Sequence, residues 1–257
     1  MRVIFHEAFH ESNYSGDEYD NGAAEGRLVN LMDALRNEGH YEVDSPAAAT
    51  RADLLRGHTE AHVTAIEHNK PRLFAMAALA AGGAMMASDR ALQGEPSFAC
   101  VRPPGHHASR SQAWGHCTFS NVALALLRLR EAGQIRSAFV VDFDQHTGDG
   151  TKDVLRGWPD ATVYNTYGDT AAELLRNLEE CLRAAPQVDI LAVSAGFDAY
   201  IHDLGGKLST EDYFTIGRLL QGYAIRLGHQ RRFAVLEGGY YLPDLGKNAL
   251  AFCRGFE

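Results

Sequence analysis

The sequence contains 257 residues, of which 46% are hydrophobic and 22% are charged, as expected for a folded globular protein and not for a disordered or collagen-like chain. The formal net charge of −9 disfavours a nucleic-acid partner, because binding to phosphates depends on clustered Lys and Arg side chains. It mildly favours a cationic substrate, although a solvated acidic surface that maintains solubility is the simpler interpretation.

Short β-rich runs alternate along the chain with longer helical patterns, which predicts an α/β fold with a mostly parallel central sheet and helices on both faces. The runs cover residues 3–5, 98–101, 138–143, 162–164, 190–194 and 233–236. Five of these six runs lead directly into segments rich in His, Asp, Gly or Tyr. Because open α/β sheets bind ligands beyond the carboxyl ends of their strands, we expect the chemistry to lie there.

The helical segments between these runs have recognisable ends. An apolar stripe from Leu28 to Leu35 predicts a helix that ends at Gly39, and Ser120 and Gly133 predict the start and end of another. Capping boxes are predicted at Thr170 with Glu173 and at Ser209 with Asp212, and the latter helix ends near Gly228. We interpret the apolar stripes of these helices as core. The length is compatible with a single domain over residues 1–257.

Two acidic segments after apolar runs predict a metal site. In VVDFDQHTGDG, Asp144 and His146 are two residues apart, so in an extended chain their side chains project to the same side. Asp198 follows the later run in LAVSAGFDAY. Alone, Asp198 is more simply read as a helix cap. Together, one His and two carboxylates with an open fourth position suit a catalytic zinc ion.

Two further segments carry groups for acid and base chemistry. RPPGHHA places His106 beside His107, and such a pair can act as a general base and an electrostatic partner when acceptors orient the rings. Asp142 and Asp149 flank the metal motif and are the obvious acceptors. LEGGYY presents Tyr240, whose phenol can donate a hydrogen bond to a developing oxyanion, although a packed aromatic is the simpler role.

The segments RPPGHHA, DFDQHTGDGT, SAGFD and EGGYY, in this order, resemble the histone deacetylase superfamily, and most of all its bacterial branch, which includes acetylpolyamine amidohydrolases. The resemblance spans nearly the whole chain. It implies a single α/β domain of the arginase type. It also implies a zinc-dependent amidohydrolase that removes an acyl group, typically acetyl, from a small acylated amine such as an acetylpolyamine or from acetyl-lysine in a protein.

The resemblance also implies individual roles. The zinc ligands would be Asp144, His146 and Asp198. Zinc and Tyr240 would polarise the amide carbonyl, while His107 deprotonates the attacking water and then protonates the leaving amine. Asp142 would orient His106, and Asp149 would orient His107. Zinc and ferrous iron both accept this ligand set.

Further positions follow from the same resemblance. A potassium ion is implied at Asp142, Asp144, His146 and Thr166. Arg27 resembles the arginine that lines an exit channel for the acetate product. His116 stands where the family has an aromatic wall of the substrate tunnel, and Trp114 or Phe119 would compensate for it.

Several departures from the family pattern leave the substrate open. Thr147 replaces the second His of the metal motif, and the chain after Thr166 lacks the family's long glycine-rich loop, so we expect a wider and more exposed site. These deletions keep a non-catalytic sensor or scaffold as an alternative. An arginase-like ureohydrolase would need a second carboxylate where Tyr200 stands.

Cysteine usage and the apolar pattern bear on location. The four cysteines form no CxxC pair, which favours neither a thiolate zinc site nor a disulfide framework. The N-terminal segment has no apolar signal-peptide region, and no stretch approaches the roughly 18 apolar residues of a membrane span. We expect a cytoplasmic protein with no membrane partner, and the oligomeric state stays open.

Overall fold

A computed structural model describes residues 1–16 and 20–257, and within these ranges the strands form one parallel sheet. The strands are β1 (Arg2–Ile4), β2 (Glu42–Asp44), β3 (Ser97–Ala99), β4 (Ala138–Asp142), β5 (Ala161–Asn165), β6 (Ile190–Ala195) and β7 (Arg232–Leu236). Their order across the sheet is β2-β1-β3-β7-β6-β4-β5, and every neighbouring pair is parallel.

Helices connect the strands. They are α1 (Val29–Asn37), α2 (Arg51–Leu54), α3 (Glu60–Asn69), α4 (Pro71–Leu92), α5 (Asn121–Glu131), α6 (Asp149–Leu155), α7 (Ala171–Ala184), α8 (Thr210–Arg226) and α9 (Leu242–Phe256), with short 3-10 turns at Glu7–His10 and Asn21–Ala23. In the described part of the chain, no helix has both the length and the apolar character that a membrane crossing requires.

Two neighbouring residues of β3 show that helices cover both faces of the sheet. The Ser97 hydroxyl donates to the carbonyl of Ala87 in α4 at 2.6 Å. The ring of Phe98 packs against Phe252 of α9, with 6.0 Å between ring centroids. Because successive side chains of a strand point to opposite faces, α4 and α9 lie on opposite sides of the sheet. The predicted architecture is confirmed.

Strand β2 was not predicted from the sequence. It lies at the edge of the sheet and pairs only with β1 among the described strands, with Val43 opposite Val3. Its side chains are largely solvated, and Val43 is 41% exposed. An edge strand of this kind lacks the apolar run that marks strands buried on both faces.

The predicted helix caps are only partly correct. The capping box at Ser209 is complete. The Thr170 side chain accepts from the Glu173 N–H, but the Glu173 carboxylate accepts from the residue before Thr170, so that box is half formed. Ser120 is the residue before the first turn of α5, but its hydroxyl makes no cap hydrogen bond within the described residues. Its backbone N–H donates to Nε2 of His58 at 2.9 Å.

The sheet order brings the motifs together. Strands β3, β7, β6, β4 and β5 are consecutive neighbours. In register, Asp142 at the end of β4 lies opposite Ser194 of β6 and Asn165 of β5. Ala195 of β6 lies opposite Leu236 of β7. The segments that follow these strands therefore meet at one carboxyl edge, as open α/β sheets place their ligand sites.

Candidate active site

Asp144, His146 and Asp198 converge at this edge. One candidate ligand atom from each lies within 4.8 Å of the others. The Nδ1 atom of His146 is 3.1 Å from Oδ1 of Asp144 and 2.9 Å from Oδ2 of Asp198. The structure thus brings together the three residues that the sequence proposed as metal ligands.

The donor set fits a cation. Asp144 and Asp198 are buried, and Oδ2 of Asp198 accepts no aligned hydrogen bond within the described structure. Burial, together with the charge of Asp144, raises the pKa of Asp198 to about 6. Buried carboxylates of like charge are costly unless a cation or hydrogen-bond donors compensate them. A divalent ion at this point would supply the missing partner.

Two glycines allow the backbone to pass close to Asp144. A Cβ atom on Gly196 would lie 2.1 Å from Oδ2 of Asp144, and one on Gly238 would lie 2.5 Å from the same oxygen. The N–H of Gly238 donates to that oxygen at 2.9 Å. Any side chain at either position would displace the carboxylate, so these glycines are requirements of the site.

The adjacent histidines have the orienting acceptors that the sequence predicted. Nδ1 of His106 lies 3.1 Å from Oδ2 of Asp142, and Nδ1 of His107 lies 2.7 Å from Oδ1 of Asp149. The two imidazole rings are 4.0 Å apart between centroids. Each ring is therefore held by its own carboxylate.

The surroundings of the two histidines shift their pKa values in opposite directions. Burial and the charge of His106 lower the pKa of His107 to about 4, so His107 is neutral near pH 7 and can accept a proton. Burial opposes the charged form of His106, but the carboxylates of Asp144 and Asp142 outweigh it and raise the pKa of His106 well above its ordinary value. One ring is suited to be a base, and the other to be a fixed positive charge.

A cavity of about 160 Å³ opens onto these groups. It is lined by Pro104, His106, His107, Trp114, Gly115, His116, Cys117, His146, Leu204 and Tyr240. Burial raises the pKa of Tyr240 above its ordinary value, so its phenol keeps its proton and can donate a hydrogen bond. Of the two aromatics expected to replace a tunnel wall, Trp114 lines the cavity, whereas Phe119 is fully buried elsewhere.

His116 lines the cavity at the predicted wall position. Its ring meets the ring of Tyr240 edge-on, with 5.4 Å between centroids. Its Nδ1 atom is 2.5 Å from Oδ1 of Asp20. His116 therefore presents an ion-paired imidazole to the cavity, and its role as a substrate wall stays a prediction.

Arg27 lies behind Tyr240. Its Nε donates to the carbonyl of Gly239 at 3.0 Å, and Nη2 donates to the carbonyl of Glu237 at 2.6 Å. The guanidinium carbon is 5.5 Å from the centre of the Tyr240 ring. The remaining nitrogen, Nη1, is buried and has no partner among the described residues, which suits an anion.

Thr166 is close to the metal segment, as expected. Its N–H donates to the carbonyl of Asp142 at 2.8 Å. Its hydroxyl oxygen is buried and unpartnered within the described chain. A buried hydroxyl oxygen without a partner suits a hard cation, and the potassium site stays a prediction.

Two functional residues were missed from the sequence. Buried Glu237 accepts hydrogen bonds from the N–H groups of Gly105 at 2.7 Å and His106 at 3.1 Å, so it holds the histidine segment. Its position directly after an apolar strand was an available signal. Asp203 accepts from the N–H groups of Tyr240 at 2.6 Å and Tyr241 at 2.8 Å. It lies in an irregular turn, where no sequence pattern pointed to it.

Tyr200 occupies the position where a ureohydrolase would place a further carboxylate. Its hydroxyl donates to Asp244 at 2.8 Å and so supplies no metal ligand.

A second group of candidate ligands in the described ranges, His106, Cys117 and Glu237, already makes hydrogen bonds within the protein. Cys117 accepts from the N–H of His107, and His106 pairs with its aspartate.

Comparisons with known proteins agree on one family. The sequence model of the histone deacetylase domain matches residues 23–173 and 166–256. A probable deacetylase of Methanothermobacter thermautotrophicus is 31% identical over 307 residues, covering 100% of this chain and 91% of the relative. The alignment is longer than the 257-residue chain, so the relative has segments without counterparts here, in keeping with the shortened loops.

Other relatives include enzymes named for polyamines. Polyamine deacetylase HDAC10 of Mus musculus is 31% identical over 288 residues, covering 86% of this chain and 43% of the relative. Acetylpolyamine amidohydrolase of Mycoplana ramosa is 27% identical over 201 residues, covering 62% of this chain and 56% of the relative. The crystal structure of the HDA15 HD domain shares the fold, with a TM-score of 0.84, 22% identity, and coverage of 98% of this chain and 90% of that one. This chain belongs to the histone deacetylase family.

Proposed function

We propose that this protein is a zinc-dependent deacylase that hydrolyses small N-acyl amines, acetylated amines above all. One observation carries the proposal. A single cavity contains His146 of the metal-ligand cluster, the neutral base His107 and the phenol of Tyr240. Metal-assisted amide hydrolysis uses a Lewis acid, a general base and a donor to the developing oxyanion, and these three functions lie close together here.

Zinc held by Asp144, His146 and Asp198 would supply Lewis-acid polarisation of the amide carbonyl. The chain's own residues then carry the protons. Neutral His107 accepts a proton from the attacking water and returns it to the nitrogen of the leaving amine. Tyr240 donates a hydrogen bond to the carbonyl oxygen as negative charge develops there.

His106 and its carboxylate complete the arrangement. The positive charge of His106 stabilises negative charge in the cavity. It also disfavours a positive charge on His107, which keeps His107 neutral before it accepts the proton of the attacking water. One C–O bond forms with water and the C–N bond of the amide breaks. The products are a free amine and a carboxylate. Arg27, whose buried Nη1 has no partner among the described residues, is proposed to line the exit path of that carboxylate.

The substrate class is inferred from the relatives and from charge. Two relatives are named for polyamines, and the net charge of −9 favours approach of a cationic amine. The polar wall formed by His116 with Asp20 suits an amine substrate better than a fully apolar tunnel would.

A potassium ion near Thr166 would act as a structural ion beside the metal segment.

The proposal is tested by turnover of the zinc-loaded protein. Acetylputrescine, an acetyl-lysine peptide and amines with longer acyl chains are compared at equal concentration, with Tyr240→Phe as the control. We expect hydrolysis of the acetylated diamine, with kcat/KM above that of the peptide. Bound zinc without hydrolysis of any acylated amine would overturn the proposal and support a sensor instead.

A further inference from the structure

Trp114 contacts both members of the pair to which proton transfer is assigned. Its indole stacks on the His107 ring, with 3.6 Å between centroids and 28° between planes. Its Nε1–H donates to Oδ2 of Asp149 at 3.0 Å. The other oxygen of that carboxylate faces Nδ1 of His107 at 2.7 Å. The three side chains therefore form a closed set of contacts.

His107 is buried, but burial does not hold Trp114 or Asp149 in place. Trp114 is 51% exposed, and the Asp149 side chain is 54% exposed. An exposed carboxylate with one partner can rotate, whereas separate donors on its two oxygens define its orientation. Trp114 supplies the second donor and also covers one face of the imidazole.

The loop that carries Trp114 is shaped to place it there. The carbonyl of Trp114 accepts from the N–H of Cys117 at 3.2 Å, which closes a turn. Gly115 has φ of +57°, a conformation that favours glycine, and a Cβ there would lie 3.0 Å from Cδ2 of His107. The turn thus brings the loop against the His107 ring.

We propose that Trp114 is a positioning residue for His107, because it fixes the Asp149 carboxylate that orients the His107 ring and covers one face of that ring. This rests on the proposed function, in which His107 transfers the proton.

Three variants separate positioning from stability. Trp114→Phe keeps an aromatic ring and removes the N–H donor, while Trp114→Ala removes both. Trp158→Phe is the matched control, because Trp158 is buried and its Nε1–H donates to the carbonyl of Arg136 at 2.9 Å. It makes the same chemical change away from the cavity.

With acetylputrescine, we expect Trp114→Phe to lower kcat about tenfold while KM stays within about threefold, because only the orientation of the base is lost. Trp114→Ala should lower kcat about 100-fold, because the stacking contact with His107 is lost as well. Trp158→Phe should stay within about twofold of wild type in both constants. Equal kcat in Trp114→Phe and Trp158→Phe would overturn the positioning role.

A second readout does not depend on turnover. The Nδ1 proton of His107, held against Asp149, is followed by NMR in wild type and variants. We expect it to exchange with water at least about tenfold faster in Trp114→Phe than in Trp158→Phe, since the carboxylate is no longer held. Equal exchange would overturn the positioning role even in a protein that hydrolyses nothing, whereas absent turnover in wild type alone would count against the proposed function.

Discussion

Nδ1 of His146 lies 2.9 Å from Oδ2 of Asp198, a buried oxygen that receives no aligned hydrogen bond from the described residues, because the ring N–H is directed to Asp144. Two carboxylates thus face one imidazole proton. A metal ion that binds all three residues must displace that proton, which couples metal affinity to pH.

Metal binding should therefore release a proton. Interaction with Asp144 and Asp198 raises the pKa of His146 to about 10, while burial and the charge of Asp144 raise the pKa of Asp198 to about 6. Between these values His146 is protonated without metal and deprotonated with it, so zinc affinity should rise about tenfold per pH unit. Calorimetry at pH 8 in two buffers of different ionisation enthalpy counts the protons released. A count of zero would contradict the assigned ligand set.

A methyl group at Gly196 should abolish metal binding. Its Cβ would lie 2.1 Å from Oδ2 of Asp144, too close for the carboxylate to keep its position. Gly222→Ala in α8 is the control, because a Cβ there meets nothing within 4 Å and alanine gains up to about 1 kcal/mol of helix propensity. Zinc content is measured after dialysis. A Gly196→Ala protein that folds and retains zinc at wild-type affinity would show that the close approach is unimportant.

Removing the Tyr240 hydroxyl should slow turnover and spare metal binding. Tyr240→Phe loses the donor to the developing oxyanion, which is worth about 2.7–4 kcal/mol of transition-state stabilisation. The measurement is kcat/KM together with zinc content. Near wild-type kcat/KM would remove Tyr240 from the mechanism.

Asp203 should act on the reaction through the backbone of Tyr240. Asp203→Ala leaves two N–H groups without their acceptor, and we expect kcat to fall about tenfold, within the cost of a lost charge-assisted bond. Asp203→Asn keeps an acceptor oxygen and should recover to within about threefold of wild type. Zinc content should not change in either variant. Equal kcat in the alanine and asparagine variants would argue against this positioning role.

Much of the fold could be predicted because its signals are local and apolar. Buried strands such as β4 and β6 read as continuous hydrophobic runs, and each leads into a polar segment. Strand β2 was not predicted because its side chains are largely exposed and it lies at the sheet edge, paired with β1. Ser120 was predicted as a cap from its residue type, and it stands at the cap position, but its hydroxyl makes no cap hydrogen bond within the described residues.

The site shows the same division. Asp144, His146 and Asp198 could be proposed from spacing, and the residue types suggested acid and base roles for the paired histidines and an oxyanion role for Tyr240. The family resemblance assigned the base to His107. The positions of Asp203 and Trp114 depend on hydrogen bonds between loops distant in sequence. Loop geometry of this kind has no periodic pattern, so only the folded chain reveals it.

The most direct test of the metal-dependent mechanism is a zinc titration of the chelator-treated protein while hydrolysis of acetylputrescine is followed. We expect the metal-free protein to be inactive and the rate to rise linearly until one zinc ion is bound per chain. Asp198→Asn should bind zinc weakly and show no turnover at the same total zinc. Full turnover without metal, or a rate that saturates only at two ions per chain, would contradict the account.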